Sequence, residues 1–132
     1  MEELLKRLSI SEETIKQMVE ICPNIEELSS EEIVEKIEVL KEIKCNENQI
    51  RNIISSNAMY LDKSIVDIQE LIKKLIEKGF TTLNILFDSN PYILNLDAYE
   101  IETYIDKREK RGEKLEDIVD DLESNVYLFE EI

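Results

Sequence analysis

The feature that most constrains this chain is a sequence repeat of about 34 residues. Four short segments resemble one another around the anchor positions Pro23, Ala58, Pro91 and Val126, which are spaced by 35, 33 and 35 residues. Apolar residues recur at fixed distances from these anchors: Ile15, Ile50, Leu83 and Ile118 lie eight residues before them, Val19, Ile54, Phe87 and Leu122 four before, and Ile25, Tyr60, Ile93 and Leu128 two after. One unit of this kind cannot bury its own apolar face, so the repeat predicts stacked units.

Within each unit the apolar residues fall at helical spacing. The first two stripes are Ile15, Met18, Val19 and Cys22, and then Ile33, Val34, Ile37, Leu40 and Ile43. Each unit therefore predicts a helix A, a short turn at the anchor and a helix B. A proline at the anchor suits this turn because it cannot continue helix A.

Capping residues predict where the helices start. Ser29, Ser64 and Asp97 each lie six residues after an anchor, and an acidic residue follows each of them three positions on. Asn46 and Ser11 are further N-cap candidates, and Gly79 and Gly112 are candidates for the residue that ends a B helix. We expect helices at 2–8, 12–22, 30–44, 47–57, 65–79, 82–89, 98–111 and 114–125.

These patterns predict an all-α fold. We expect one helical-repeat domain over residues 1–132, an α-solenoid of about four helix-turn-helix repeats. The sequence does not determine whether the solenoid curves to the right or to the left.

Composition excludes several classes of function. The chain of 132 residues has no histidine, which removes Ser-His-Asp triads and histidine-ligated zinc, and its two glycines form no phosphate-binding loop. We therefore expect no enzyme, and no catalytic, cofactor-binding or metal-ligating residues. The net charge of −15 argues against direct binding of nucleic acid and of anionic membranes.

The chain shows no secretion signal. The start Met1-Glu2-Glu3 is acidic, no apolar run is long enough to span a membrane, and Cys22 and Cys45 form no CxxC motif. Two half-buried thiols are typical of a reducing compartment, so we expect a cytoplasmic protein.

The acidic residues concentrate at two places. Residues 12–38 hold nine acids and two bases, and residues 113–131 hold eight acids and one base. A solvated helix start explains such a run, and so does an anionic face for a basic protein partner. The candidate partner-binding residues are Glu26, Glu27, Glu31, Glu32, Glu35, Glu38, Asp117, Asp120, Asp121 and Glu123.

Three local features have two interpretations each. The apolar tail from Val126 to Ile132 folds back on the last unit, or contacts a second copy in a homodimer. The basic run 107–111 is a helix C-terminus, or a phosphate contact; it has no interleaved aromatic residue. Asp121 stands in a column that is apolar in earlier units, as in a capping repeat, or belongs to the acidic face.

The unit resembles the repeat of the mitochondrial transcription termination factor (mTERF) family. The residues that carry the resemblance are Ser9-Ile10-Ser11-Glu12-Glu13-Thr14-Ile15 leading to Pro23, and Gly79-Phe80-Thr81-Thr82-Leu83 leading to Pro91-Tyr92-Ile93-Leu94. The resemblance implies a helical solenoid, often with a third short helical turn per unit. Several members of the family bind double-stranded nucleic acid along a basic concave face, and this chain departs from them in its charge and in having about four units.

Three functions follow from these observations. The favoured one is a non-enzymatic acidic repeat protein that binds a protein partner through its solenoid surface. The second is a nucleic-acid mimic that inhibits a DNA- or RNA-handling enzyme, as phage or mobile-element proteins do, because carboxylates can occupy a groove built for phosphates. The third is an mTERF-like nucleic-acid binder.

Overall fold

The computed structural model describes all residues from 1 to 132, and its regular structure is entirely helical. The α-helices are α1 (Glu2–Arg7), α2 (Glu12–Ile21), α3 (Ser30–Glu42), α4 (Glu47–Ser56), α5 (Met59–Asp62), α6 (Ile65–Lys78), α7 (Leu83–Ser89), α8 (Ala98–Lys110) and α9 (Leu115–Ser124). Short 3₁₀ turns span Pro23–Glu27, Pro91–Asn95 and Val126–Glu131. The all-α, helical-repeat prediction is confirmed, and each predicted helix is present with ends within two residues of the expected ones.

The short turn predicted at each anchor is itself a short helix, which agrees with the third helical turn per unit that the resemblance to the mTERF repeat implies. The residue before each anchor leaves the helical region: Cys22, Asn57, Asn90 and Asn125 have φ/ψ near −134/79, −135/79, −144/87 and −136/86. This conformation ends helix A, and the chain then restarts as one helical turn. Ala58 and Val126 allow the same geometry as the two prolines, so the proline is permitted there and not required.

The internal contacts divide the chain into two compact units, Met1–Ile65 and Val66–Ile132. In the first unit, α2 packs on α1 and α4, and α3 packs on α4 and α5. In the second unit, α8 packs on α9, and α9 packs on the turn at Val126–Glu131. The expectation of a single domain over residues 1–132 stays a prediction.

Side-chain caps define the starts of four α-helices. Ser29, Asn46 and Asp97 each form a capping box with the side chain three residues on, as the sequence predicts. Ser11 accepts a hydrogen bond from the amide of Thr14 at 3.2 Å. Helix α6 begins directly after Ser64.

Every B helix ends in the same left-handed cap. The residues with positive φ are Ser9 (65°), Lys44 (74°), Gly79 (106°) and Gly112 (94°), spaced by 35, 35 and 33 residues. The amides of Ile10, Cys45, Phe80 and Glu113 donate to the carbonyls of Leu5, Leu40, Leu75 and Arg108 at 3.2, 3.0, 3.1 and 3.3 Å. This six-to-one hydrogen bond is that of a Schellman motif, in which the two bonded residues commonly pair their side chains. The two glycines were predicted here, whereas Ser9 and Lys44 were not.

The pairs joined by this hydrogen bond are buried and apolar in three of the four caps. Leu5, Leu40 and Leu75 are fully buried, and Ile10, Cys45 and Phe80 are at most 7 % exposed. In the fourth cap the two positions hold Arg108 and Glu113, which form an ion pair at 2.6 Å. An electrostatic pair thus replaces an apolar one at the end of α8.

A buried polar pair joins the two repeats of the first unit. The Tyr60 hydroxyl donates to the carbonyl of Lys36 at 2.6 Å, and Lys36 Nζ donates to the carbonyl of Leu61 at 2.8 Å. Lys36 is only 5 % exposed, and burial lowers its pKa from the ordinary value. Leu61 lies near the end of the one-turn helix α5, whose last carbonyls have no partner in a continuing helix, so the Lys36 ammonium satisfies one of them.

The cap at Lys44 gives a stability prediction. An L-residue in the left-handed region costs about 1–2 kcal/mol, and glycine adds about 0.5–1 kcal/mol of unfolded-state entropy, so Lys44→Gly should stabilise the fold by up to about 1 kcal/mol. Urea denaturation followed by circular dichroism measures this change. The matched control, Lys41→Gly in the last turn of α3, should destabilise. A lower free energy of unfolding for Lys44→Gly would contradict the role given to the left-handed cap.

Candidate functional site

Helix α3 presents a stripe of carboxylates to solvent. Glu31, Glu35, Glu38 and Glu42 follow one another at intervals of four, three and four residues, which places them on one helix face over about 16 Å. All four are exposed, and Val34, 40 % exposed, lies on the same face. We call these four glutamates the α3 stripe. Sequence reasoning missed Glu42, although its helical spacing from Glu38 could have found it.

The predicted partner-binding residues between Glu26 and Glu38 lie in three different places. Glu31, Glu35 and Glu38 belong to the α3 stripe, and among these three only Glu38 has a cation within salt-bridge distance, Lys41 at 3.4 Å. Glu32 turns back to its own helix start, where its carboxylate accepts from the amide of Ser29 at 3.3 Å. Glu26 and Glu27 are exposed in the 3₁₀ turn that precedes α3.

The predicted acidic residues of α9 also lie in different places. Glu116, Asp120 and Glu123, at intervals of four and three residues on α9, line a groove of about 480 Å³ between α9 and the end of α6. We call it the α9 groove. Asp120 and Glu123 were predicted to bind a partner, whereas Glu77, which also lines the groove, was missed. Asp117 is exposed on α9 and is not part of the groove lining.

The first unit has an equivalent groove of about 380 Å³. It lies between the α1–α2 connection, with Ser9 and Ser11, and helix α4. Counting back from the anchors, Asn48, Arg51, Asn52 and Ser55 correspond to Glu116, Val119, Asp120 and Glu123 of the α9 groove. The repeat thus builds the same groove twice and lines it with different chemistry.

Arg108 is the centre of an ion-pair network at the end of α8. Its guanidinium donates to both oxygens of Glu113 at 2.9 and 2.6 Å, to Asp121 Oδ2 at 2.8 Å and to the Tyr104 hydroxyl at 3.2 Å. The hydrogen bonds from Arg108 hold the pKa of Glu113 below its ordinary value. Asp121 was predicted as a partner-binding residue or part of a capping repeat, and the structure places its carboxylate in this internal network.

The basic run 107–111 contains no aromatic residue, as the sequence shows, but the structure places two tyrosines of the same helix beside it. Tyr99, Tyr104, Lys107 and Arg111 line one groove of about 390 Å³ on α8. We call it the α8 groove. The two tyrosines precede the run in sequence, and helical periodicity brings them onto its face. Tyr99 is 76 % exposed, and Arg108 stacks over Tyr104 at 5.7 Å from the ring centroid.

The apolar tail folds back within the second unit. Phe129 is 2 % exposed, and its ring centroid lies 6.1 Å from that of Phe80. The Asn90 side-chain amide donates to the carbonyl of Val126 at 3.1 Å. Tyr127 stays 64 % exposed, and a homodimer through this tail stays a prediction.

Metal-binding and membrane-spanning features are not found. No group of three or more His, Cys, Asp and Glu side chains is placed to hold a metal ion. None of the helices combines the length and the apolar character that crossing a bilayer requires. Cys22 and Cys45 are buried, and burial raises the pKa of the Cys22 thiol.

Comparison with known proteins identifies the family. The family model described as mTERF matches residues 2–119. The chain belongs to the mTERF family. No curated protein and no solved structure matches the chain. The mTERF match ends within α9, so that Asp120, Asp121, Glu123 and the folded-back tail lie beyond it.

The Arg108 network predicts a pH-dependent effect. Because the folded-state pKa of Glu113 lies below the ordinary value of 4.5, its ion pair stabilises the fold above that pH and is lost as pH falls through the lower pKa. Glu113→Gln should therefore lower the free energy of unfolding at neutral pH, and the difference from the parent chain should shrink well below pH 4.5.

Urea denaturation at several pH values measures this difference. The control, Glu109→Gln, removes an exposed carboxylate of α8 outside the network and should show neither the loss nor its pH dependence. A Glu113→Gln deficit that is equal at neutral and acid pH would contradict the electrostatic role of the pair.

Proposed function

We propose that this mTERF-family chain is a non-enzymatic helical-repeat protein that binds a basic protein partner through carboxylates of α3 and α9. The observation that carries the proposal is the α3 stripe, with its four exposed glutamates and the exposed Val34 among them. We place this activity in the cytoplasm, which suits two buried cysteines in a chain without a disulfide.

Electrostatics supports this assignment. Like charges four residues apart destabilise a helix by about 0.2–0.5 kcal/mol per pair, so the neighbouring glutamates of the stripe repel one another in the folded chain. Lysine and arginine side chains of a partner relieve that repulsion on binding. The net charge of −15 also steers a basic protein toward the chain and speeds association at low ionic strength.

Charge reversal tests the proposal. The variant E31K/E35K/E38K should lose about tenfold or more in affinity for a basic partner, equivalent to about 1.4 kcal/mol, and the loss should lie mainly in the association rate. Partners are taken as the basic proteins that the parent chain captures from source lysate after nuclease treatment, and each is then measured as a purified protein.

The control E20K/E70K/E130K changes the net charge by the same amount at exposed positions outside the stripe. It should retain affinity within about threefold. Equal losses in both variants would mean that net charge alone drives association, and unchanged affinity in both would remove the electrostatic proposal.

The nucleic-acid-mimic alternative makes the same protein contacts but predicts competition. A basic nucleic-acid-handling partner would then release DNA or RNA as the acidic chain is added, because carboxylates occupy its phosphate-binding surface. Simultaneous binding of the chain and nucleic acid to that partner would favour simple docking instead.

A second candidate function, nucleic-acid binding, has its own supporting observation in the α8 groove. Lys107 and Arg111 supply two cations, and Tyr99 supplies an exposed ring on which a base can stack. The family match points in the same direction, since mTERF repeats are typically associated with nucleic-acid binding.

Binding of labelled duplex DNA and single-stranded RNA at low ionic strength tests this candidate. K107E/R111E should abolish binding, and the parent chain should show a salt dependence of about two released counterions, one per cation. The control K16E/K73E reverses two exposed lysines outside the α8 groove. Absence of binding by the parent chain, or equal losses in both variants, would remove the α8 groove from consideration.

A further inference from the structure

The α9 groove combines an apolar floor with an acidic rim. Val119, 5 % exposed, and the half-buried Leu115 form the floor. Glu116, Asp120 and Glu123 stand along it on successive turns of α9 over about 10 Å. The groove is open at Gly79, where an added Cβ would meet no atom within 4 Å.

The carboxylates of the rim are not engaged by the protein itself. Glu116, Asp120 and Glu123 form no salt bridge, whereas Glu77 on the opposite side is paired with Lys74 at 3.4 Å. The groove is lined by four carboxylates and by one cation, Lys78, so its lining carries a net charge of −3. Carboxylates on successive turns of one helix that form no salt bridge repel one another, and a bound cation relieves that repulsion.

The equivalent groove of the first unit shows that folding does not require this acidity. There Asn48, Asn52 and Ser55 occupy the three rim positions, and Arg51 replaces Val119 on the floor, so the side chains that line it carry a net charge of +1. The backbone of the repeat forms a groove of similar volume in both units, about 380 and 480 Å³. The acidic rim is therefore specific to the second unit, whereas an apolar residue, Ile10, also lines the groove of the first unit.

We propose that the α9 groove binds a short amphipathic basic segment of the partner protein, with an apolar side chain on Leu115 and Val119 and lysine or arginine side chains paired with Glu116, Asp120 and Glu123. This inference rests on the proposed function and adds the place and chemistry of the contact. Charge complementarity selects a cationic segment, and the apolar floor selects one that also carries leucine-like side chains.

The probes are two synthetic peptides of equal charge. One is an amphipathic peptide of leucine and lysine at helical spacing, and the other contains lysine as its only charged residue and serine in place of leucine. The parent chain should bind the leucine-containing peptide about tenfold or more tightly than the serine-containing one, because only leucine uses the apolar floor.

Two matched neutral variants locate the contact. E116Q/D120N/E123Q should lose about tenfold or more in affinity for the leucine-containing peptide, whereas E31Q/E35Q/E38Q, which removes equal charge from the α3 stripe, should change it by less than about threefold. Leu115→Ser should reduce the preference for leucine over serine. Circular dichroism and the free energy of unfolding verify that each variant folds.

The Gly79 amide resonance gives an independent readout. The chemical shift of this amide should change when the leucine-containing peptide binds. The chemical shift of the Gly112 amide, at the end of the other glycine-capped helix, should not change. Shifts confined to the α3 stripe, equal affinity for the two peptides or an unchanged affinity of E116Q/D120N/E123Q would overturn the groove assignment.

The outcomes separate the two proposals. Loss of peptide binding in E31Q/E35Q/E38Q alone would overturn the groove while keeping an acidic docking surface on α3. The proposed function itself would be overturned if the parent chain bound neither of the two peptides and none of the basic proteins from the lysate.

Discussion

The left-handed cap at the end of each B helix is the constraint on which the repeat depends. It turns the chain at Ser9, Lys44, Gly79 and Gly112 with the same pair of hydrogen bonds, at the period of the repeat. The six-to-one bond also sets two side chains together, and in three caps both are buried. Helix A of the next repeat follows from that turn, so the apolar columns stay in register only while the cap holds.

Features that depend on neighbouring residues in the chain could be predicted from the sequence. Features that depend on contacts between distant segments could not. Ser29, Asn46 and Asp97 carry their capping partners three residues on, and glycine marks two of the caps, so helix limits could be predicted. Ser9 and Lys44 adopt positive φ without any sequence mark. Lys36 is one of the two bases within residues 12–38, and only the structure shows that it is buried and that its ammonium donates to the carbonyl of Leu61.

Only those candidate sites that lie within one helix could be predicted from the sequence. The α3 stripe lies on one helix and follows from spacing alone. The α9 groove is lined from two places along the chain, near Gly79 and near Val119, and no local pattern connects them. The α8 groove was overlooked because Tyr99 and Tyr104 lie outside the run of basic residues, although they share its helix face.

The two grooves of this chain differ in their rim residues, although the buried residues around them follow the same repeat. The positions that hold a repeat together are buried columns and caps, while Asn48, Asn52 and Ser55, or their acidic counterparts on α9, lie on the rim of a groove. Such positions can change charge without disturbing the register of the helices. In this chain the same helical framework thus carries two grooves with different linings, and an exchange of rim residues changes the charge of a groove without a change of fold.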